Sequence, residues 1–330
     1  MILDGCDPAA LASAADVLAR AGLVAFPTET VYGLGARADD DAAVAAVFAA
    51  KGRPVDHPLI VHVASAAQAA HFADEVPEVA RRLMAALWPG PLTLIVPRTP
   101  GVATAAAGGH PTIALRCPSH PVARALFEAA AKLGVPGVAA PSANRFGRIS
   151  PTQAAHVVAE FGDALMVLDG GPCEHGIESA IVDCTRGRPV LLRPGVLTRT
   201  QIEAAAGEAL QSRAEDSPRA PGTLEAHYAP RAKLRLMSRQ ALRAALRVLG
   251  ADAPGVAVYS RTVPEALQAP PGARLKCRVM PDNAASAGHE LFAVLRELDT
   301  PDVRLIWVEE PPGTPPWEGV RDRLRRAAAA

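Results

Sequence analysis

The stretch KGRPVDHPLIVHV, Lys51 to Val63, sets two cations and two imidazoles beside an apolar run with the composition of a buried strand. A helix predicted over Asp41–Ala50 ends just before it, because glycine and proline follow and both terminate helices. The helix dipole favours cations at that end, so capping explains part of the pattern. The cations and imidazoles are Lys51, Arg53, His57 and His62. Together they exceed what capping requires and favour an anion with several oxygens, such as a polyphosphate.

Composition limits the classes of function. The chain carries 34 basic and 34 acidic residues, so no global field favours DNA, RNA or an anionic membrane, and any anion site must be local. Its five cysteines form no CxxC pair, which argues against a disulfide framework and a structural zinc site and favours a reducing cytoplasm. The N-terminal sequence lacks a secretory pattern, and no run reaches about 18 apolar residues, so neither export nor a membrane span is expected.

The first two hundred residues alternate helical periodicity with short β-rich runs, which predicts a mixed α/β domain. The predicted helices are Pro8–Ala21, Asp41–Ala50, Val76–Leu87, Pro121–Leu133 and Pro151–Phe161. The predicted strands are Leu23–Phe26, Leu59–Val63, Leu92–Val96, Ile113–Arg116, Gly137–Ala140, Leu165–Leu168, Ser179–Asp183 and Val190–Leu192. Because several strands follow one another without a helix between them, we expect a partly antiparallel, twisted sheet rather than a simple doubly wound one.

A second domain is expected because 330 residues exceed the usual size of one domain. The composition changes after residue 206 to a segment rich in Pro, Gly, Ser and charge, which predicts an interdomain linker over 207–232. Strands and helices then alternate regularly, so residues 233–330 are predicted to form a small Rossmann-like domain with a parallel sheet. That region contains no GxGxxG, and dinucleotide binding there is not supported.

Two motifs in the first domain leave alternatives open. FPTETVYGLG, Phe26 to Gly35, follows a strand with hydroxyls and glycines, and it either lines a ligand or forms a polar turn. TIALRCP ends a predicted buried strand with Arg116, whose guanidinium must pair with an internal carboxylate or with a ligand carboxylate. His62, taken alone, would more often be a buried core histidine than a ligand-binding residue.

Polar residues also follow the later predicted strands. In APSANRFGRISPTQ, Ser142 and Asn144 follow a strand, and Ser150 is predicted to cap the helix that begins at Pro151. Ser179 in ESAIVD and Arg193 in LLRPG lie at further strand ends, and α/β proteins assemble ligand crevices in this way. GxSxG and HExxH are both absent from the sequence, so hydrolases of those types and zincins are excluded.

The motifs PTETVYGLG, KGRP with HPLIVHV, APSAN with FGRISPT, ESAIVD and LLRPG occur in this order over about Pro8 to Thr200. In combination they closely resemble the YrdC-like domain of threonylcarbamoyl-AMP synthases. PGTLEAHYAP, Pro221 to Pro230, resembles the linker of the longer members, which add a Rossmann-like C-terminal domain. The resemblance implies an α/β fold with these two domains, here 1–206 and 233–330.

The family makes threonylcarbamoyl-AMP and pyrophosphate from L-threonine, bicarbonate and ATP, with Mg²⁺ expected to accompany ATP. A separate threonylcarbamoyl transferase complex then modifies tRNA, so the resemblance implies a tRNA-processing nucleotidyltransferase in the cytoplasm without stable nucleic-acid binding of its own. An RNA-binding protein of the same domain family and a related carbamoyl-handling enzyme are the alternatives. The second alternative carries zinc-finger and acylphosphatase modules, which this sequence lacks.

The resemblance also implies roles for individual residues. Threonine would be held by Thr30, His62, Arg116 and Ser179. ATP would be held by Lys51, Arg53, His57, Thr112, Ser142, Asn144, Ser150 and Arg193, with Tyr228 of the linker closing over it. Lys51 and Arg53 would act catalytically by neutralising phosphate charge, and no residue is assigned to a metal. The family usually has Thr where this chain has Ala180, which removes one hydroxyl beside Ser179.

Overall fold

The structure is a computed structural model that describes residues 1–214, 217–250, 255–262 and 275–330. It divides into two compact units, the first formed by Met1–Phe146 and Ser150–Thr223 and the second by Gly147–Ile149 and Leu224–Ala330. Within the described ranges, no helix has both the length and the apolar character that a membrane span requires. The predicted functional division at residues 206 and 232 stays a prediction.

The first unit is a mixed α/β fold. Its strands are β1 (Ile2–Asp4), β2 (Val24–Phe26), β3 (Gly33–Arg37), β4 (Ile60–His62), β5 (Leu92–Pro97), β6 (Thr112–Arg116), β7 (Val138–Ala139), β8 (Met166–Asp169), β9 (Ala180–Asp183), β10 (Val190–Arg193) and β11 (Gln211–Ser212). Its helices are α1 (Pro8–Ala19), α2 (Asp41–Lys51), α3 (Ala66–Ala69), α4 (Glu78–Leu87), α5 (Pro121–Lys132), α6 (Ala154–Phe161) and α7 (Arg199–Ala206).

The strands form an 11-stranded sheet in the described chain, in the order β1-β8-β2-β3-β7-β4-β6-β5-β9-β10-β11. Neighbouring pairs are parallel, as in β4–β6 and β5–β9, or antiparallel, as in β5–β6 and β9–β10. This mixture confirms the predicted α/β class with a partly antiparallel sheet. Strand β11 lies inside the predicted linker, so that segment is less irregular than its composition indicates.

Successive side chains of a strand point to opposite faces of the sheet, so the residues of the central strands divide into two sets. One face carries Val61 and Leu115, which pack in the main core with residues of α2, α4 and α7. The opposite face carries Ile60 and Ala114, which belong to a smaller apolar cluster. The other members of this cluster are strand residues and Ala220, which comes from the segment after β11.

Helices cover only part of this second face. Residues of α1 and α5 pack there with Phe26 of β2 and Val138 of β7. His62 of β4 pairs with Val138 of β7 on one side and with Arg116 of β6 on the other. Cross-strand partners share a face, so these two polar residues lie where the helix-covered area meets the smaller apolar cluster.

Local sequence explains most helix boundaries, with two corrections. Helix α2 is capped by Asp40, whose carboxylate accepts hydrogen bonds from two backbone amides, and it ends at Gly52 with φ +65°. Helix α6 begins at Ala154, so the predicted start at Pro151 was wrong. The predicted cap, Ser150, instead donates its hydroxyl hydrogen to the Glu178 carboxylate at 2.5 Å, and Gln153 precedes the first helical residue.

Strand β3 was missed by the sequence prediction, which treated its residues as part of a glycine-containing turn. Its glycines allow the strand to approach Phe26 closely: a Cβ added to Gly35 would lie 2.6 Å from the Phe26 ring and 2.6 Å from Val138. The strand pairs antiparallel with β2 and β7 and so connects the first motif to the centre of the sheet.

The second unit contains a four-stranded sheet in the order β12-β15-β13-β14 among its described residues. These strands are β12 (Lys233–Met237), β13 (Gly255–Ser260), β14 (Leu275–Val279) and β15 (Val303–Glu309), and every pair is parallel. Its helices are α8 (Arg239–Arg247), α9 (Ala284–Leu298) and α10 (Glu318–Ala328). The predicted Rossmann-like parallel sheet is confirmed. Two residues of the predicted linker, 215–216, lie outside the described residues.

We expect Gly35→Ala to lower the free energy of unfolding by about 1–3 kcal/mol, because the packed space beside Phe26 and Val138 cannot take a methyl group. Urea denaturation measures the change. Gly313→Ala is the control, since its nearest neighbour, Arg321 Nη1, lies 3.7 Å from the added Cβ, and we expect a change within about 0.5 kcal/mol. Equal stability of the two variants would contradict the close packing of β3.

Candidate functional site

Lys51 lies at the C-terminal end of α2 with its side chain buried. Its ammonium donates hydrogen bonds to the backbone carbonyls of Ser142 at 2.6 Å and Asn144 at 2.5 Å. Burial, with repulsion by Arg53, holds the pKa of this ammonium well below its usual value, while Glu160 and Glu178 act in the opposite direction. An anion bound beside Lys51 would act against this lowering of the pKa, because a nearby opposite charge favours the ammonium form.

Arg53 follows the end of the helix and is also buried. Its Nη2 donates to the carbonyl of Pro58 at 2.9 Å, and its guanidinium lies 5.8 Å from the centre of the Phe146 ring. The His57 ring packs edge-on against the same phenyl ring, at 5.7 Å between centroids. The structure thus groups Lys51, Arg53 and His57 with the loop that carries Asn144. The predicted anion site at these residues stays a prediction.

Arg116 ends β6 and is buried beside Glu29 of the first motif. Arg116 Nη2 lies 2.7 Å from Glu29 Oε1, and the two side chains are 4% and 2% exposed. Of the two partners that the sequence left open for Arg116, the internal carboxylate is therefore present. Arg116 Nε has no hydrogen-bond partner in the part of the chain that the structure describes, so the guanidinium keeps donor capacity for a second anion.

His62 lies next to Arg116 in the strand register and between two phenyl rings. The ring centroids of Phe26 and Phe127 are each 6.2 Å from that of His62. Burial, together with the positive charge of Arg116, lowers the pKa of His62 to about 3, so its imidazole is neutral at pH 7. A neutral imidazole beside a guanidinium can exchange hydrogen bonds with a ligand without adding repulsion.

A polar row continues across the sheet from these residues. Thr93 of β5 lies opposite Arg116, and its hydroxyl is 2.8 Å from that of Ser179. Arg193 of β10 donates from Nε and Nη2 to the carbonyl of Ser179, at 3.1 and 3.0 Å. Arg193 Nη1 also donates to the carbonyl of Pro221 at 2.9 Å. Strand register therefore aligns His62, Arg116 and Thr93 on one face of the sheet, and Arg193 follows beyond Ile181, after a register shift in β10.

Ser150 and Glu178 join this row to the cation group. Both are buried, and the Ser150 hydroxyl donates to Glu178. Glu178 precedes Ser179 in the chain and its charge acts on Lys51. The cation group of Lys51 and Arg53 and the polar row are thus parts of one charged neighbourhood.

The remaining predicted site residues, Thr30, Thr112 and Tyr228, lie in different parts of the structure. Thr30 is fully buried, with its hydroxyl 2.9 Å from that of Thr28. Thr112 begins β6 on the same face as Arg116, about 13 Å along the strand. Tyr228 belongs to the second unit, where it has φ +63°, stacks on Phe292 at 5.3 Å and lies beneath the Arg323 guanidinium. Its predicted closure over a nucleotide stays a prediction.

Sequence reasoning missed Glu29, Thr93 and Glu178. Glu29 and Glu178 stand inside the motifs PTET and ESAIVD, whose hydroxyl residues Thr30 and Ser179 are the predicted ligand-binding residues. A buried arginine at a strand end requires a carboxylate, and Glu29 was the acidic residue of the adjacent motif. Thr93 is a threonine in an apolar strand and gives no comparable signal.

Two family models match the chain. The model of the Sua5, YciO and YrdC proteins, described as telomere recombination, matches residues 16–195. The model described as the C-terminal domain of threonylcarbamoyl-AMP synthase matches residues 197–329.

Curated relatives and solved structures agree with these models. The threonylcarbamoyl-AMP synthases of Pyrococcus abyssi and Bacillus subtilis are 47% and 45% identical over 66% and 67% of this chain, and the alignments span 64% of each relative, which is less than two thirds of its length. P. abyssi Sua5 complexed with L-threonine has a TM-score of 0.85 and 36% identity, with 96% of this chain and 94% of that chain covered. A P. abyssi Sua5 variant with a histidine and a tyrosine replaced by alanines has a TM-score of 0.88 and 34% identity, with 99% and 96% covered.

The low pKa of His62 predicts a pH-dependent stability. Because an unfolded histidine takes up a proton below about pH 6.5 and folded His62 does not, the stability present above pH 6.5 is lost as the pH falls toward 3. We expect His62→Phe to remove this loss. As the pH falls from 6 to 4, the unfolding free energy of wild type should therefore decrease relative to that of His62→Phe by about 1.4 kcal/mol per pH unit.

Urea denaturation at several pH values measures this difference. The same substitution at exposed His71 controls for the replacement of a histidine by phenylalanine elsewhere. A difference between wild type and His62→Phe that does not change with pH would show that His62 is not held neutral.

Proposed function

The chain belongs to the family of the Sua5, YciO and YrdC proteins and has the C-terminal domain of the threonylcarbamoyl-AMP synthases, and on this premise we propose that it is an L-threonylcarbamoyladenylate synthase. It would make threonylcarbamoyl-AMP and pyrophosphate from L-threonine, bicarbonate and ATP. The observation that carries the proposal is the polar row His62, Arg116 and Thr93, which the strand register aligns on one face. Glu178, which precedes Ser179 of this row in the chain, acts by its charge on the buried Lys51.

The polar row supports threonine binding. Arg116 offers an unpaired N–H for a carboxylate, and Ser179 and Thr30 offer buried hydroxyls. The P. abyssi Sua5 chain that was solved in complex with L-threonine matches 96% of this chain with a TM-score of 0.85, which supports the same amino acid as ligand here. Ala180 begins β9 and is buried in the main core, so the methyl group takes the place of the family's usual hydroxyl without an unsatisfied polar atom.

The cation group supports ATP binding. Lys51, Arg53 and Arg193 are all buried, and desolvated cations interact with phosphate more strongly than exposed ones. We assign the triphosphate to these three residues together with Ser142, Asn144, Ser150 and His57. Thr112, about 13 Å from Arg116 on the same strand face, is assigned to the more distant part of the nucleotide.

The proposed reaction has two steps. The threonine amine first forms a nitrogen–carbon bond with bicarbonate and water is lost, which gives an N-carboxylate that breaks down readily in water. An oxygen of this carbamate then attacks the α-phosphorus of ATP, the bond between the α- and β-phosphates breaks, and pyrophosphate leaves. Positioning can supply up to roughly 7–11 kcal/mol of the barrier reduction, and exclusion of water protects the carbamate. Lys51 and Arg53 neutralise the charge that develops on the phosphates.

Mg²⁺ is proposed to accompany ATP. Among the described residues, no group of three or more His, Cys, Asp or Glu side chains is placed to hold a metal ion. The ion would therefore be carried by phosphate oxygens and water, where it neutralises negative charge, rather than by a cage of protein ligands. No residue of this chain is assigned to it.

The product is a mixed anhydride that needs an acceptor, so a threonylcarbamoyl transferase complex acting on tRNA is the proposed downstream partner. The alternative of a direct RNA-binding protein is less well supported, because 34 basic residues are balanced by 34 acidic ones and aromatic residues make up 4% of the chain. A titration of the protein with tRNA at physiological salt distinguishes the two.

We expect Lys51→Ala and Arg53→Ala each to reduce threonine-dependent and bicarbonate-dependent release of pyrophosphate from ATP by at least about 100-fold, because each removes a buried phosphate-binding cation. Lys132→Ala, at an exposed position on α5, is the matched control and should retain wild-type turnover. Full activity in either site variant would contradict the assignment of the cation group.

The product itself is testable by mass spectrometry. The protein is mixed with ATP, Mg²⁺, bicarbonate and one amino acid at a time, and we expect threonylcarbamoyl-AMP with threonine and little adduct with alanine or valine. Carbamoyl phosphate, offered in place of threonine and bicarbonate, tests the carbamoyl-handling alternative. Formation of a carbamoyl adduct from carbamoyl phosphate, without a threonine product, would overturn the proposed function.

A further inference from the structure

Several buried polar atoms without a hydrogen-bond partner in the described chain lie together in the first unit. They are Glu29 Oε1, Arg116 Nε, Arg116 Nη2 and His62 Nδ1. Arg116 lies beside His62 in the strand register and 2.7 Å from Glu29, although the Nη2 and Oε1 atoms are not aligned for a hydrogen bond. Buried polar groups are satisfied in most proteins, so a cluster of this kind indicates a position that a ligand completes.

The chemistry of these atoms matches an α-amino acid. The two guanidinium nitrogens are donors suited to a carboxylate, while Glu29 Oε1 is an acceptor and carries negative charge. An α-amino acid carries its carboxylate and its ammonium group on the same carbon, so its two opposite charges lie close together. The guanidinium of Arg116 and the carboxylate of Glu29 are similarly close, with 2.7 Å between Nη2 and Oε1. A ligand with only a carboxylate would leave the Glu29 oxygen unsatisfied.

Glu29 is also held in place on its other side. Its second carboxylate oxygen, Oε2, accepts a hydrogen bond from the backbone amide of Ser119 at 3.2 Å. The residue is 1% exposed, and its backbone carbonyl accepts from the amide of His175 at 2.8 Å. Oε1, which lies 2.7 Å from Arg116 Nη2, is thus the carboxylate oxygen that makes no hydrogen bond within the described chain, and the contacts of Oε2 and of the backbone fix its position.

We propose that Glu29 binds the amino group of the amino-acid substrate, while Arg116 binds its carboxylate, so that Glu29 selects amino acids over hydroxy acids. This inference rests on the proposed function for the identity of the amino acid. It adds a substrate-binding residue at the nitrogen that forms the new bond to carbon. The four atoms are closed to bulk water, so a local opening precedes binding and the ligand replaces its hydration by these contacts.

The test compares two ligands that differ at one group. L-Threonine and (2S,3R)-2,3-dihydroxybutanoate share the carboxylate and the side chain, but the second has a hydroxyl in place of the amine. Isothermal titration of the full chain with each ligand gives the amine preference. We expect wild type to bind threonine about 10- to 100-fold more tightly than the hydroxy acid, the range of one charge-assisted hydrogen bond.

Variants assign the preference to Glu29. We expect Glu29→Gln to weaken threonine binding about 10- to 100-fold and to change hydroxy-acid binding less than about 3-fold, because Arg116 still holds the carboxylate. Since Gln removes the buried countercharge of Arg116, circular dichroism checks folding, and Glu29→Asp, which keeps the charge but shortens the reach, serves as the second variant. Glu78→Gln removes the carboxylate of an exposed ion pair with Arg81 and is the matched control.

The outcomes separate this inference from the proposed function. Equal binding of both ligands by wild type, unchanged threonine affinity in Glu29→Gln and Glu29→Asp, or an equal loss of both ligands in the folded variants would each overturn the role of Glu29. Failure of wild type to bind threonine would overturn both proposals. Wild type that binds threonine with the expected amine preference but releases no pyrophosphate from ATP would overturn the proposed function alone.

Discussion

The ion pair between Arg116 and Glu29 is the constraint around which the site is organised. A guanidinium at 3% exposure in the middle of a sheet is tolerated only with a countercharge, because an unpaired buried charge destabilises a fold by about 3–5 kcal/mol. The pair joins the loop before β3 to the end of β6, two segments far apart in sequence. Burial, together with the same positive charge, lowers the pKa of the neighbouring His62 and keeps it neutral. The ion pair thus holds a loop against a strand end and contributes to the protonation state of His62.

The sheet determines where such a pair can lie. Helices α1 and α5 cover one part of the face that carries His62, while the smaller apolar cluster on the same face is made of strand residues and Ala220. His62 and Arg116 lie at the border between these two areas. On one side of them lie the residues of α1 and α5, and on the other side lies the smaller apolar cluster, which contains no residue of a described helix. Deeply buried charged groups thus lie beside the part of the face that is proposed to take the substrate.

Sequence predicted the elements better than it predicted the partners of side chains. Apolar periodicity and Gly or Pro signals located most helices and strands to within a few residues, since these depend on local spacing. The sequence prediction was wrong where tertiary contacts determine the local structure. Ser150 binds Glu178 instead of capping α6, and the glycines of β3 pack on Phe26 instead of forming a turn. Arg116 was identified as needing a carboxylate, but the choice of Glu29 depends on strand order, which spacing does not encode.

The order of strands also affects how the chain folds as it is synthesised. Ile2 of β1 pairs with Val167 of β8, and Arg193 of β10 completes the polar row. At about 5–20 residues per second, roughly 10 to 30 seconds separate the emergence of the first strand from that of its partner. During this interval the nascent chain holds unpaired strand edges and apolar segments that other chains can bind. The sheet that carries the candidate site is therefore completed only late in translation, after most of the first unit has emerged.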